Sequence, residues 1–142
     1  MSLNLTRPLI TFDIETTGKE VATSRICQIS IIKEHPDGTI EKKSRLVHPT
    51  IEIPAEATEV HRITNEMVEN EPPFKSISKK MFEFMSGCDF VTYNGNNFDI
   101  PILAEEFLRC GISFPEPNTR LIDAFSIFLK ESPRTLVAAY KT

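Results

Sequence analysis

Tryptophan is absent from these 142 residues, and only two tyrosines and five glycines occur. The glycines stand at positions 18, 38, 87, 95 and 111, too far apart for a G-x-G-x-x-G or phosphate-loop motif. That argues against dinucleotide and P-loop nucleotide binding. Cys27, Cys88 and Cys110 are odd in number and form no C-x-x-C pair. A disulfide framework or structural zinc site is therefore not expected, and a reducing cytoplasm is the expected compartment. No apolar run approaches the ~18 residues of a membrane span. The N-terminus lacks a charged-then-apolar secretory pattern, so no membrane role is expected. Sixteen Lys+Arg against twenty Asp+Glu leave a net charge of −4. That argues against a broad basic nucleic-acid surface and leaves room for a small site.

What is present is an ordinary globular composition, 40% apolar and 25% charged, sufficient for one core and too short for two comfortable domains. Ten Phe make phenylalanine the main aromatic core filler. Residues 7–15 predict a strand, with Leu9, Ile10, Phe12 and Ile14 apolar. Residues 27–33 predict a second strand. His35-Pro36-Asp37-Gly38 is a turn signal, and 39–48 completes a hairpin. Glu41, Lys42, Lys43 and Arg45 mark its outer strand as a wet edge. Pro54 opens a short helix, Thr64 caps another, and Pro72-Pro73 stops that one. Phe74, Ile77, Met81, Phe82, Phe84 and Met85 recur at helical spacing over 74–86, which leaves Lys75, Lys79 and Lys80 on a solvated face. A strand at 88–93, a turn at 94–97 and a helix at 98–109 follow, the helix closed by Gly111. Leu121-Ile122 is a brief strand, Asp123 a helix cap, and 135–141 the start of a last helix. A β-meander followed by βα units predicts an α/β layer fold with a mixed sheet.

Asp13 and Glu15 are the first candidates for chemistry. Residues i and i+2 of a strand share a face, so the two carboxylates project side by side while Phe12 and Ile14 enter the core. Adjacent anions repel unless a cation or proton sits between them, and hard carboxylate oxygens suit Mg²⁺ or Mn²⁺. On the residues alone, a solvated pair at a strand end is the alternative. Asp99 falls in the first turn of a helix, either as a ligand or as a partner of the helix dipole. His61 lies between two short helices, and either lines a site or sits at a helix end. Nothing pairs a nucleophilic Ser or Cys with a His.

Phe12-Asp13-Ile14-Glu15-Thr16-Thr17-Gly18 resembles the first motif of the DnaQ-like (DEDD) 3′–5′ exonucleases. Asn94-Gly95-Asn96-Asn97-Phe98-Asp99 resembles their second motif. Between them, His61-Arg62-Ile63-Thr64 resembles the family's His-Gly-Ile-Thr segment, with Arg62 where the family usually has Gly and Tyr93 where many members have His. The resemblance implies a ribonuclease-H-like fold, a five-stranded mixed β-sheet flanked by α-helices. It implies removal of nucleotides from a 3′ end of DNA or RNA with two divalent ions, Mg²⁺ or Mn²⁺. Polymerase proofreading of the DNA polymerase III epsilon kind, with a DNA polymerase as partner, is one such role. Carried over, Asp13, Glu15 and Asp99 are the catalytic metal ligands. Thr16, Thr17, His61, Asn94 and Phe98 fall near the substrate. Bound metals also turn an acidic cluster into a phosphate site, which removes the objection of the net negative charge.

The family further uses a fourth carboxylate and a general-base His, in a third motif of the His-x4-Asp kind. No His follows Asp99 here. Residues 1–142 thus read as a single exonuclease domain incomplete at its C-terminal end, weakly active or inactive alone. Two alternatives stand beside the enzyme: an exonuclease fold kept for binding nucleic acid or a polymerase, and a plain α/β domain with a fortuitous D-x-E.

Overall fold

The structure is a computed structural model that describes residues 6–92 and 98–123. Its centre is β1 (Leu9–Thr16), where alternation buries Ile10, Phe12, Ile14 and Thr16 on one face and turns Asp13 and Glu15 to the other. β2 (Ile26–Glu34) pairs with it antiparallel, setting Asp13 opposite Ser30 and Glu15 opposite Gln28. β3 (Ile40–Leu46) follows through the expected turn, in which the His35 N–H donates to the Thr39 carbonyl at 2.8 Å. Gly38 stands there at φ 92°, a conformation that costs a glycine little. β3 is the charged outer strand, exposed up to Leu46.

α1 (Ala55–His61) starts after Pro54, and α2 (Asn65–Val68) starts after Thr64, whose hydroxyl accepts from the Met67 N–H at 3.2 Å. α3 (Phe74–Met85) leads to β4 (Asp89–Thr92), which runs parallel to β1. α4 (Asp99–Arg109) then returns to β5 (Leu121–Asp123), parallel to β4. The order β3-β2-β1-β4-β5 is the expected five-stranded mixed sheet. Elements begin and end within one or two residues of their expected positions. The 94–97 turn, the helix expected after Asp123 and the one expected at 135–141 lie outside the described residues. No helix among the described residues is long and apolar enough to cross a membrane.

α3 and α4 cover the Ile10–Phe12–Ile14 face with Phe74, Met85, Ile102, Leu103 and Phe107. The rings of Phe74 and Phe107 meet edge to face at 5.1 Å. Lys75, Lys79 and Lys80 are exposed, as their spacing predicts. A smaller core of Cys27, Ile53, Ile63 and Val68 seats α1 and α2 at the carboxyl end of β1, on the side of Glu15.

Glu106 is an acid on the apolar side of α4. Its Oε2 accepts from the Ile26 N–H at 2.7 Å, and its Oε1 from Arg109 at 3.2 Å. Burial outweighs both partners and raises its carboxyl above the ordinary 4.5. The folded chain therefore binds this proton more readily than the unfolded one. The stability it contributes is present at low pH and is lost as pH rises from 4.5 through the raised value. In Glu106→Gln, the fall in melting temperature as pH rises above 4.5 is expected to shrink. An unchanged slope would exclude Glu106 as its source.

Candidate active site

β1 and β4 run parallel with Ile10 opposite Phe90, so their carboxyl ends open on the same side of the sheet. Ligands of open α/β sheets gather at such ends. Asp13 is exposed on the open face and Glu15 is half-buried beside it. Enough protein surrounds Asp13 for burial to raise its carboxyl. Glu15 is raised by burial first and by the charge of Asp13 second. Among the described residues no Lys or Arg forms an ion pair with either carboxylate. The pair is thus held together by the fold against its own repulsion, on a floor of Ser30 and Gln28.

Asp99 is the first residue of α4 and half-buried, at a helix end where a carboxylate is favoured. Phe98 precedes it and packs against the main core. Among the described residues, no group of three or more His, Cys, Asp or Glu side chains stands close enough to hold a metal ion. The alternation of β1 sets Asp13 and Glu15 on one face, and Asp99 stands at the start of α4. The donor set itself, hard carboxylate oxygens of Asp13 and Glu15 with no Lys or Arg paired to them among the described residues, fits a divalent cation.

The two threonines of the first motif are buried and serve the loop that leaves β1. The Thr16 hydroxyl donates to the Gly18 carbonyl at 2.7 Å, and the Thr17 hydroxyl accepts from the Arg25 N–H at 3.0 Å. His61 ends α1 with its Nε2 3.0 Å from the Thr16 carbonyl. Arg62 takes φ 67°, the left-handed conformation that glycine adopts freely. That explains why a resembling segment carries Gly there. In this chain Arg62 bears a steric cost of about 1 kcal/mol. Asn94 lies outside the described residues.

One neighbour of the site escapes a motif reading. Cys27 is fully buried and donates from Sγ to the Glu15 carbonyl at 3.4 Å. Burial first, then the adjacent Glu15, push its thiol up to about 12, so it remains a protonated donor. A cysteine at the head of a strand carries no local signal for this contact, because the partner arrives from another strand.

The five-stranded sheet and its helices define a ribonuclease-H-like fold, with an acidic pair at the carboxyl end of its central strand. Exonuclease I aligns over 85% of this chain with a TM-score of 0.73 at 15% identity, the chain spanning 30% of that protein. A family model described as Exonuclease (RNase_T) matches residues 10–141. The chain belongs to this exonuclease family. It is 31% identical over 108 residues to the 3′–5′ exonuclease DinG of Bacillus subtilis, covering 75% of this chain and 12% of that one. It is 33% identical over 99 residues to DNA polymerase III subunit epsilon of Treponema pallidum, covering 70% of this chain and 46% of the subunit. The chain thus spans less than half the length of either relative.

Proposed function

We propose that this chain hydrolyses terminal phosphodiester bonds from the 3′ end of DNA or RNA with the aid of divalent metal, Mg²⁺ or Mn²⁺. The observation that carries the reading is the Asp13–Glu15 pair, both carboxyls raised by burial and Glu15 also by the charge of Asp13, in a member of an exonuclease family. Asp13 and Glu15 would hold two ions together with Asp99. When bound, the ions supply an activated water and stabilise charge on the leaving 3′ oxygen. The protein's own contribution is placement. β1 presents two carboxylates on one face, the turn after Thr16 shapes the floor, and the start of α4 would supply the third acid. Thr16, Thr17, Asn94 and Phe98 form the surround of the terminal nucleotide in this reading, with His61 behind Thr16. The similarity to a polymerase III subunit supports proofreading beside a DNA polymerase as the setting, with residues 1–142 as one exonuclease unit in the cytoplasm.

A second reading is the same fold kept for binding nucleic acid or a polymerase partner without cutting it. A 5′-labelled single strand incubated with the chain and Mg²⁺ or Mn²⁺ separates the two. Slow shortening from the 3′ end, absent in Glu15→Gln, is the expected result. A DNA or RNA strand that binds and is never shortened would establish the module instead.

A further inference from the structure

Both ring nitrogens of His61 meet backbone, and Nε2 also lies 3.9 Å from Cys27 Sγ. Its Nε2 lies 3.0 Å from the Thr16 carbonyl oxygen, and the Ile63 N–H approaches its Nδ1 at 3.1 Å. A carbonyl only accepts and a backbone N–H only donates. The proton is therefore on Nε2, and Nδ1 is bare. In this arrangement neither nitrogen can take a proton from water or donate to a phosphate without breaking an existing bond.

The carbonyl it holds is at a particular place. Pairing between β1 and β2 shifts register between Glu15 and Thr16. Such an irregularity disrupts the ladder and leaves backbone groups in need of other partners. Two side chains serve here. Cys27 Sγ donates to the Glu15 carbonyl and His61 Nε2 to the Thr16 carbonyl. Both peptide groups that follow the Glu15 side chain are thus pinned from outside β1.

We propose that His61 is a positioning residue: its Nε2–H clamps the Thr16 carbonyl at the register shift and so fixes the direction in which Glu15 leaves the strand, instead of contacting substrate. The tautomer stands on geometry alone. The functional consequence rests on the metal-dependent reading above.

Two conservative substitutions separate the two bonds. A glutamine amide nitrogen is as many bonds from Cβ as Nε2 and can still donate to Thr16. An asparagine amide oxygen is as many bonds from Cβ as Nδ1 and can still accept from Ile63. Mn²⁺ affinity, read from the rise in melting temperature across a titration, is expected to fall about tenfold in His61→Phe. It is expected to fall similarly in His61→Asn and to stay near the parent value in His61→Gln. A role confined to the turn after α1 would give the reverse order. His61→Gln as weak as His61→Phe, or His61→Phe as tight as the parent, overturns the proposal. Independently, ¹⁵N spectra of the imidazole in the unsubstituted chain should show a protonated Nε2 and a bare Nδ1. A bare Nε2 overturns the clamp whatever the metal does. If the unsubstituted chain takes up no Mn²⁺, the metal reading fails, and the imidazole spectrum still decides the clamp.

Discussion

Adding Mn²⁺ to the metal-free chain is expected to raise its melting temperature by about 8 °C, and Asp13→Asn is expected to abolish that rise. A ligand at about a hundred times its Kd stabilises the state that binds it by about 2.7 kcal/mol. At roughly 3 °C per kcal/mol for a chain of this length, that gives the shift. The cause is the pair on β1. Burial raises both carboxyls, and the charge of Asp13 raises Glu15 further. A raised carboxyl means that the folded state resists ionisation, so at neutral pH the pair costs stability. A divalent cation reverses that sign. Asp13→Asn removes one charge and leaves the strand's alternation intact. Without metal the variant should therefore melt slightly above the parent, and with Mn²⁺ below it. Such a crossing is the signature of a site whose charges serve binding at the expense of stability. Equal rises in parent and variant would show that Mn²⁺ binds elsewhere and would remove the physical basis for the metal-dependent reading.

Asp89→Ala is expected to destabilise the chain by about 3 kcal/mol, lowering the melting temperature by about 9 °C. Asp89 opens β4 and is 2% exposed. Its carboxylate accepts from the Arg120 backbone N–H at 2.9 Å and from the same residue's guanidinium at 3.0 and 2.9 Å. Arg7 Nε stands 3.7 Å away and donates at 3.0 Å to the Gly87 carbonyl. Another Arg7 nitrogen reaches the Asn118 carbonyl at 3.2 Å. One buried carboxylate thus joins the segment before β1, the start of β4 and the entry to β5. Alanine strips the charge partner from two guanidinium groups and the acceptor from the Arg120 N–H. The value is placed at the low end for a broken buried pair because Arg120 remains largely in water. Arg120→Ala should cost less, since the Arg120 backbone N–H still meets Asp89. Urea unfolding of both variants measures the difference. A loss under about 1 kcal/mol for Asp89→Ala would show that the β4–β5 pairing stands without this group.

Some of this was readable from local pattern and some only partly. Glu106 falls at helical spacing from Ile102 and Leu103, so an acid on the apolar face of α4 was visible in the period. What it bonds was not, because the Ile26 N–H comes from β2, eighty residues earlier. Asp89 similarly stands between the apolar Cys88 and Phe90, an acid where a buried strand begins, while its cations arrive from both sides in sequence. Arg62 in place of the expected Gly was legible as a departure. Its meaning came from φ 67° at the end of α1. For Asp13 and Glu15, a two-residue alternation sufficed, since side-chain direction in a strand is a local property of the backbone.

The amino-acid order by itself determined the elements, the sidedness of β1, the charged outer strand and the kinship carried by the motif at 12–18. Periodicity, turn residues and caps act over a few residues, and these features need nothing more. Tertiary structure alone decided that the Thr16 and Glu15 carbonyls are held by His61 and Cys27 and that Asp89 closes the sheet through Arg120. Each of these depends on the distance between segments remote in the chain. That distance is set by how the helices settle on the sheet, which is not written in any local window.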